Sequence, residues 1–372
     1  MERDDKGKAW WRTALTAMAG AAGDDAAALA RIAVTAADKD LDDLAVTLAD
    51  RAAALAPDDA MVRADRRKAL SSLVPRWHFL IVRDAARNAA YRAALERAIR
   101  PGDRVLDIGA GTGLLGMMAA RAGAGAVTSC EMNAPIAAAA TRIVAANGLA
   151  DRVRIVAKHS AALDLEADLG GRVDVVVSEI LANDLLGEYA LAVMADVVPR
   201  LLAPGGRVIP ETGAIVVAPA WWDGLEKRSV GVVDGFDLSA FDELDRHPRQ
   251  LDVGDAGLAL AGRASDLFAF DFAGGRSERR GRTTARLLVE GGRANGVAQW
   301  IRIGLDAETV YESRPAPGAF SCWACLFHPL DEPAEPGDTV VVDASHDGVR
   351  LRIVATVERA GAAGGAATEV TP

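Results

Sequence analysis

The chain has 372 residues, 51% of them apolar, which is enough for two domains with separate cores. Its formal net charge of -10 argues against a nucleic-acid backbone as the main partner and is compatible with cationic substrates. No apolar run approaches the length of a membrane span, and the charged start is untypical of a signal peptide, so we expect a cytoplasmic protein.

Residues 1–73 are predicted to form an Ala-rich helical appendage. Apolar side chains recur at helical spacing, as at Leu41, Leu44 and Leu48. Residues 49–60 resemble the end of a tetratricopeptide repeat. Because repeat arrays generally need about three units to be stable, we expect an appendage packed on the next domain, with a plain helical bundle as the alternative.

Residues 74–210 are predicted to form a Rossmann-like α/β domain. From Arg104 onward, apolar strands alternate with helical stretches, an order typical of βαβ units on a parallel sheet. Over 211–360 the segments are short and alternating and are separated by Gly and Pro turns, which predicts a β-barrel or sandwich. Residues 361–372 are expected to be a flexible tail.

A glycine turn follows the first predicted strand. The stretch 105–113 leads into Gly109, Gly111 and Gly113 and then into a helix, and such glycines let the backbone approach a ligand closely. The dinucleotide fingerprint would place a glycine where Leu114 stands. The spacing therefore favours the nucleoside turn of S-adenosylmethionine enzymes over NAD.

Five further residues belong to the predicted cofactor site. Glu131 ends the second strand, where a carboxylate can accept both ribose hydroxyls, and Met132 follows it. Asp107 is placed either to cap the turn or to meet the cofactor's ammonium group. His159 and Ser160 follow the third strand, where they would line the adenine, although His159 could equally be a surface loop residue.

Two glutamates nine positions apart, Glu179 and Glu188, follow the apolar strand at 173–178. Ligands of open α/β sheets bind beyond the carboxyl ends of such strands. Paired carboxylates without metal-ligand partners suit a planar cation such as guanidinium, whose donors match carboxylates bidentately. We expect both acids to face one cavity, with no basic side chain of the same chain against them. Taken alone, they could be ordinary loop acids.

The cysteines and histidines show no metal-ligand spacing. Cys322 and Cys325 form a Cys-x-x-Cys without a second pair, and Cys130 stands alone. We expect no metal, and we interpret the pair as small apolar residues on a strand.

Together these features resemble the protein arginine methyltransferase family over residues 75–357, and the glutamate pair keeps the family's spacing. The segment around Trp77-His78-Phe79 resembles the family's N-terminal helix, which implies that His78 and Arg87 contact the cofactor, Arg87 through the cofactor's carboxylate. Ser321-Cys322-Trp323 falls where the family carries Thr-His-Trp. This match implies that Cys322 and Trp323 line the substrate slot.

The resemblance implies methyl transfer from S-adenosylmethionine to a guanidinium nitrogen of arginine in a protein or peptide, with S-adenosylhomocysteine as product. Residues 235–239 resemble part of the family's dimerisation arm, which implies a homodimer through 221–250, with intrachain packing as the alternative. The details are most similar to the monomethylating tandem-module and tetratricopeptide-bearing branches. Monomethylarginine is therefore preferred over symmetric dimethylarginine, although the replaced loop histidine leaves the product type open.

Two other functions remain open from the sequence. One is a methyltransferase acting on another amine, a hydroxyl or a small metabolite, which the missing loop histidine favours. The other is a non-catalytic cofactor-binding scaffold, for which retention of Glu179 and Glu188 would have no purpose.

Overall fold

The computed structural model describes residues 2–225, 230–245, 248–275 and 278–361. The predicted tail, apart from its first residue, and short pieces of the predicted arm lie outside the described residues. Within them the helices are α1 (Glu2–Ala22), α2 (Ala26–Asp38), α3 (Asp42–Leu55), α4 (Ala60–Ser72), α5 (Trp77–Ile81), α6 (Ala85–Ala98), α7 (Leu114–Arg121), α8 (Ala134–Ala146) and α9 (Ala190–Leu201).

The strands fall into a parallel group followed by a longer antiparallel group. The first group is β1 (Arg104–Ile108), β2 (Ala126–Cys130), β3 (Val153–Val156), β4 (Val173–Ser178) and β5 (Leu202–Ile209). The second is β6 (Thr212–Trp222), β7 (Val232–Val233), β8 (Phe236–Asp237), β9 (Arg249–Leu251), β10 (Leu258–Leu260), β11 (Ser265–Asp271), β12 (Gly281–Leu288), β13 (Ala294–Gly304), β14 (Val310–Glu312), β15 (Cys325–Ala334), β16 (Thr339–His346) and β17 (Leu351–Glu358).

Helices α1 to α4 form an N-terminal unit around a core of their own. Asp25 and Asp59 cap α2 and α4 by accepting backbone N–H groups of the first turn, which stabilises each helix start. The unit meets the rest of the molecule through α3 against α8. At the same place the carbonyl of Leu73 accepts a hydrogen bond from Asn133 Nδ2 at 3.0 Å. The predicted helical N-terminus is confirmed.

The parallel sheet has the order β3-β2-β1-β4-β5. Helices cover both faces, and the valines 175–177 of β4 are fully buried, as a central parallel strand requires. The direction of winding reverses between β1 and β4, so their carboxyl ends flank the crevice in which such sheets bind ligands. The Rossmann-like prediction is confirmed.

The antiparallel part consists of a seven-stranded sheet, whose main path is β10-β6-β13-β15-β9, and a three-stranded sheet in the order β12-β16-β17. Its long strands β6 and β13 are buried almost throughout. Part of their apolar surface, including Ile215 and Ile301, belongs to the same core cluster as Leu185 of the parallel domain. This continuous core fixes the β-domain against the switch point. The predicted β-domain is confirmed as a curled antiparallel sheet.

Strands β7 and β8 form a short hairpin in the predicted arm. Apolar side chains of the hairpin are exposed, with Val232 and Phe236 each 70% exposed. Phe241, in the 3₁₀ segment Ser239–Leu244 that follows, is 65% exposed. Across the described part of the chain, no helix is both long enough and apolar enough to cross a membrane.

Candidate active site

The predicted glycine turn lies at the carboxyl end of β1. Gly109, Gly111 and Gly113 have φ angles of +74°, +53° and +78°, a region that favours glycine. A Cβ atom on Gly109 would lie 2.6 Å from the Ile180 side chain. The turn therefore requires glycine there, both for its conformation and for the space.

Glu131 lies next to this turn, at the end of β2. It is 6% exposed. One carboxylate oxygen accepts from the backbone N–H of Gly111 at 3.0 Å, and the other accepts from that of Asn133 at 2.8 Å. These bonds fix the carboxylate beside the crevice, where a ribose would lie.

Asp107 anchors the turn from below and is fully buried. One of its oxygens accepts from the Gly116 N–H at 3.1 Å and from Ser129 Oγ at 2.9 Å. The other oxygen has no partner within the described residues. Burial raises the pKa of Asp107 to about 6. The capping role is thus visible, and the unpaired oxygen fits a ligand that brings an ammonium group.

The structure places the remaining predicted cofactor residues, His78, Met132, His159 and Ser160, in different surroundings. His78 is half-buried on α5 and stacks on Trp77, with ring centroids 3.7 Å apart. Met132 is 71% exposed, Ser160 is buried, and the exposed His159 accepts a backbone N–H through Nδ1. Their contact with a cofactor stays a prediction.

Glu179 and Glu188 lie at the two ends of a loop that follows β4, which we call the glutamate loop. Asp184 shapes the loop by accepting the backbone N–H groups of the two residues before Glu188. Leu185 and Tyr189 adopt positive φ angles of 69° and 63°, which is uncommon for side chains of their size. The loop is therefore held in a conformation that local preference alone would not select.

The β-domain forms hydrogen bonds with the other side of this loop. Trp323, 3% exposed, donates from Nε1 to the carbonyl of Leu181 at 2.7 Å. The backbone N–H of Ala324 donates to Asn183 Oδ1 at 2.9 Å. Cys322, the other predicted slot residue, donates its backbone N–H to Asp84 Oδ2 at 2.9 Å. All three cysteines of the chain are free.

Arg87 lies on α6, and its guanidinium donates to Glu179 at 2.6 Å. The two side chains are only 4% and 5% exposed. The Nε of Arg87 has no partner among the residues described here. The expectation that no basic side chain of the chain lies against the acids is therefore wrong for Glu179. The physical reason is that a carboxylate buried this deeply requires a counter-ion.

Glu188 is partly buried and has no hydrogen-bond partner in the described parts of the chain. It faces a cavity of about 980 Å³ between the parallel domain and the β-domain, which Trp77, Cys322 and Trp323 also line. Glu179 does not line this cavity, so the expectation that both acids face one cavity holds for Glu188 alone. Burial is the main cause that raises the pKa of Glu188, and nearby carboxylates add to it. Burial likewise raises the pKa of Glu179 to about 7, against the opposing effect of Arg87.

Three contact residues were not identified as site residues from the sequence. Asp84 is fully buried and joins the start of α6 to the β-domain. Tyr311 of the β-domain contacts Asp84. Asn183 joins the glutamate loop to the same domain. Only Asp84 carried a signal, because an aspartate just before an Ala-rich helix is a typical cap.

Comparisons with known proteins agree with this geometry. Residues 92–215 match the family model of ribosomal protein L11 methyltransferase. The arginine N(omega)-methyltransferase of Streptomyces achromogenes subsp. streptozoticus is 35% identical over 304 residues, 79% of this chain and 81% of that protein. Protein arginine N-methyltransferase 7 of Oryza sativa subsp. japonica is 33% identical over 250 residues, 61% of this chain, and the match spans only 35% of that longer protein.

Solved structures show the same fold. A chain of the Trypanosoma brucei PRMT1 enzyme-prozyme heterotetrameric complex with AdoHcy aligns with a TM-score of 0.64 at 20% identity, covering 77% of this chain and 94% of that one. Arabidopsis thaliana protein arginine methyltransferase 10 aligns with a TM-score of 0.63 at 19% identity, covering 79% and 96%.

The parallel sheet, its glycine turn and the appended curled β-domain define a Rossmann-like, S-adenosylmethionine-dependent methyltransferase. Within that class, the identity and coverage of the Streptomyces relative decide the assignment. The chain belongs to the protein arginine N-methyltransferase family.

Proposed function

We propose that this enzyme transfers a methyl group from S-adenosylmethionine to a guanidinium nitrogen of arginine in a protein or peptide. The observation that carries the proposal is the pair Glu179 and Glu188 at the two ends of the loop after β4: Glu179 holds a guanidinium at the switch point, and Glu188 lines a cavity between the two domains. Membership of the family supports it. A non-catalytic scaffold has no need of a buried Glu179 and a partly buried Glu188 at this position.

The cofactor, when bound, supplies a methyl group activated on a sulfonium. Three features of the chain fit it: the glycine turn admits a close ligand, Glu131 presents a fixed carboxylate to a ribose, and Asp107 has an unpaired oxygen for an ammonium group. We propose that Arg87 takes the cofactor's carboxylate, since its Nε is unpaired and guanidinium binds carboxylates bidentately.

The glutamates bind and orient the acceptor. Arg87 already places a guanidinium on Glu179 at 2.6 Å, which supports the suitability of this carboxylate for such a group. Glu188 has no partner of its own in the described structure and offers the second edge. Holding a guanidinium between them aims one nitrogen at the methyl carbon, and positioning of this kind can contribute on the order of 7 to 11 kcal/mol.

The same carboxylates also concentrate electron density on the acceptor nitrogen and accept its proton. An arginine side chain is protonated at neutral pH and is a poor nucleophile, so electron density must be concentrated on one nitrogen. After transfer the methylated nitrogen gives up a proton. Because burial raises the pKa of both glutamates, they are better proton acceptors than exposed glutamates are.

The acceptor is identified by incubating the purified chain with S-adenosylmethionine carrying a labelled methyl group. Arginine-rich peptides and L-arginine are both offered, because the Streptomyces relative is named without mention of a protein substrate. We expect label on the guanidinium of a peptide, as monomethylarginine before symmetric dimethylarginine, in amino-acid analysis of the hydrolysate. Label on lysine or a hydroxyl, or cofactor binding with no labelled product, would contradict the proposal.

A homodimer formed through the arm is part of the same proposal. The exposed apolar side chains of its hairpin and of the 3₁₀ segment that follows support it. Clusters of exposed apolar side chains typically mark a surface that binds a partner. The Trypanosoma enzyme is described as a heterotetrameric complex, and that description applies to that protein.

A further inference from the structure

We propose that Tyr311 is a positioning residue of the reaction, because it fixes the β-domain to the helix that carries Arg87. The inference rests on the proposed function. Tyr311 lies on β14 and is 8% exposed. Its hydroxyl donates to Asp84 Oδ2 at 2.6 Å.

Asp84 is the point at which three structural elements meet. It is fully buried, and its other oxygen accepts the backbone N–H of Arg87 at 2.9 Å, which caps α6. The oxygen that Tyr311 contacts also accepts the backbone N–H of Cys322 at 2.9 Å. A buried carboxylate is stable only with such donors, so each of them fixes its place.

Tyr311 is also linked to the glutamate loop, through Ser321 and Trp323. A phenol has one proton, which goes to Asp84, so its 2.9 Å contact with Ser321 Oγ has the serine hydroxyl as donor. Ser321 Oγ accepts the backbone N–H of Trp323 at 3.1 Å. Trp323 packs edge-on against the Tyr311 ring and holds the loop through Leu181.

The side chain of Cys322 is only a weak donor for this task. The backbone N–H of Cys322 donates to Asp84 as that of any residue other than proline would, and the Cys322 thiol also interacts with Asp84. Burial raises the pKa of the Cys322 thiol, so it stays a neutral and weak donor. Burial also raises the pKa of Tyr311, so the phenol remains protonated and donates at every physiological pH. Tyr311 is therefore the strong side-chain donor to Asp84.

The test is Tyr311→Phe in the full chain, assayed with S-adenosylmethionine and an arginine peptide. We expect kcat to fall at least about tenfold, the scale of one lost hydrogen bond to a charged group, while KM for the peptide and Kd for S-adenosylhomocysteine change less than about threefold. In the Asp84→Asn background the same change should cost less than about threefold, since Tyr311 acts through Asp84.

Arg97→Gln is the matched control. Arg97 also joins α6 to the β-domain, through Asp306 at 2.7 Å, but outside the site, and its loss should leave kcat within about twofold. A Tyr311→Phe enzyme with wild-type kcat, or an equal loss in both backgrounds, would overturn the inference. If Tyr311→Phe does not fold, Ser321→Ala decides: reduced kcat supports the inference, and unchanged kcat overturns it. Failure of the wild-type enzyme to methylate arginine would instead refute the proposed function.

Discussion

Arg87 and Glu179 form an ion pair that is almost completely removed from solvent. Removing one partner of a buried pair leaves an uncompensated charge and typically costs about 3 to 5 kcal/mol. A lower activity of a Glu179 variant will therefore combine loss of catalysis with loss of stability. Glu188 has no such partner in the described structure, which makes it the cleaner position for mutation.

We predict that Glu188→Gln keeps the affinity for S-adenosylhomocysteine within about threefold and lowers turnover by about two orders of magnitude, the scale of one lost preorganised electrostatic group. Calorimetry and a labelled-methyl assay measure the two quantities. Glu131→Ala is the contrasting variant, because it should weaken cofactor binding first. Unchanged turnover in Glu188→Gln would refute its catalytic role.

The pKa of Glu179, raised to about 7 by burial, predicts how activity depends on pH. The acceptor cation requires the ionised carboxylate, which is the form present above that pKa. We expect kcat/KM for the arginine substrate to rise with pH between about 6 and 8 and then level off, since kcat/KM reports the free enzyme. A kcat/KM profile that is flat from pH 5.5 to 9 would count against this assignment.

At the scale of elements, the arm hairpin is the clearest candidate for an interface. We predict that Phe236→Asp converts a dimer into a monomer, because it places a charge where an apolar contact is proposed. Light scattering on the purified chain measures the mass. Val354→Asp on β17 is the control, since Val354 is similarly exposed, at 63%, and lies outside the arm. A wild-type chain that runs as a monomer would exclude the dimer.

The strands, the glycine turn and the positions of the acids could be read from the sequence because each depends on local patterning. Apolar runs predict buried strands, and Glu131 and Glu179 follow such strands directly, so their approach at one sheet edge was predictable. The pairing of Arg87 with Glu179, 92 positions away, was not. It depends on how α6 packs over the sheet, which local preferences do not encode.

The contact between Tyr311 and Asp84 is also unpredictable from the sequence. Tyr311 lies 227 positions from Asp84, and a tyrosine in a β-strand is usually read as a packing residue. Cys322 shows the converse case. Its residue type suggested a changed site, whereas its visible bond to Asp84 comes from the backbone, which no side-chain pattern reveals.

At the scale of the whole molecule, the described residues form three core clusters. The N-terminal unit has its own cluster, the parallel domain and the β-domain share a second, and the β-domain has a third around Trp222, Trp300 and Phe327. Separate cores generally permit separate folding. Asn133 nevertheless links the unit to the cofactor site, since its backbone N–H also donates to Glu131.

We predict that a chain starting at residue 74 folds and binds S-adenosylhomocysteine within about tenfold of the full chain, as measured by calorimetry, since one hydrogen bond near the site is lost. Asn133→Asp in the full chain is the control, because it keeps the helix cap of α8 while removing the donor to Leu73. Loss of cofactor binding on truncation alone would show that the N-terminal unit is part of the site.

The buried Arg87–Glu179 pair has a consequence for inhibitor design. A compound that presents only a guanidine must displace an arginine that is already bound to Glu179. A bisubstrate compound that adds an amino-acid carboxylate gives Arg87 an alternative partner. We therefore expect esterification of that carboxylate to weaken such an inhibitor at both ends.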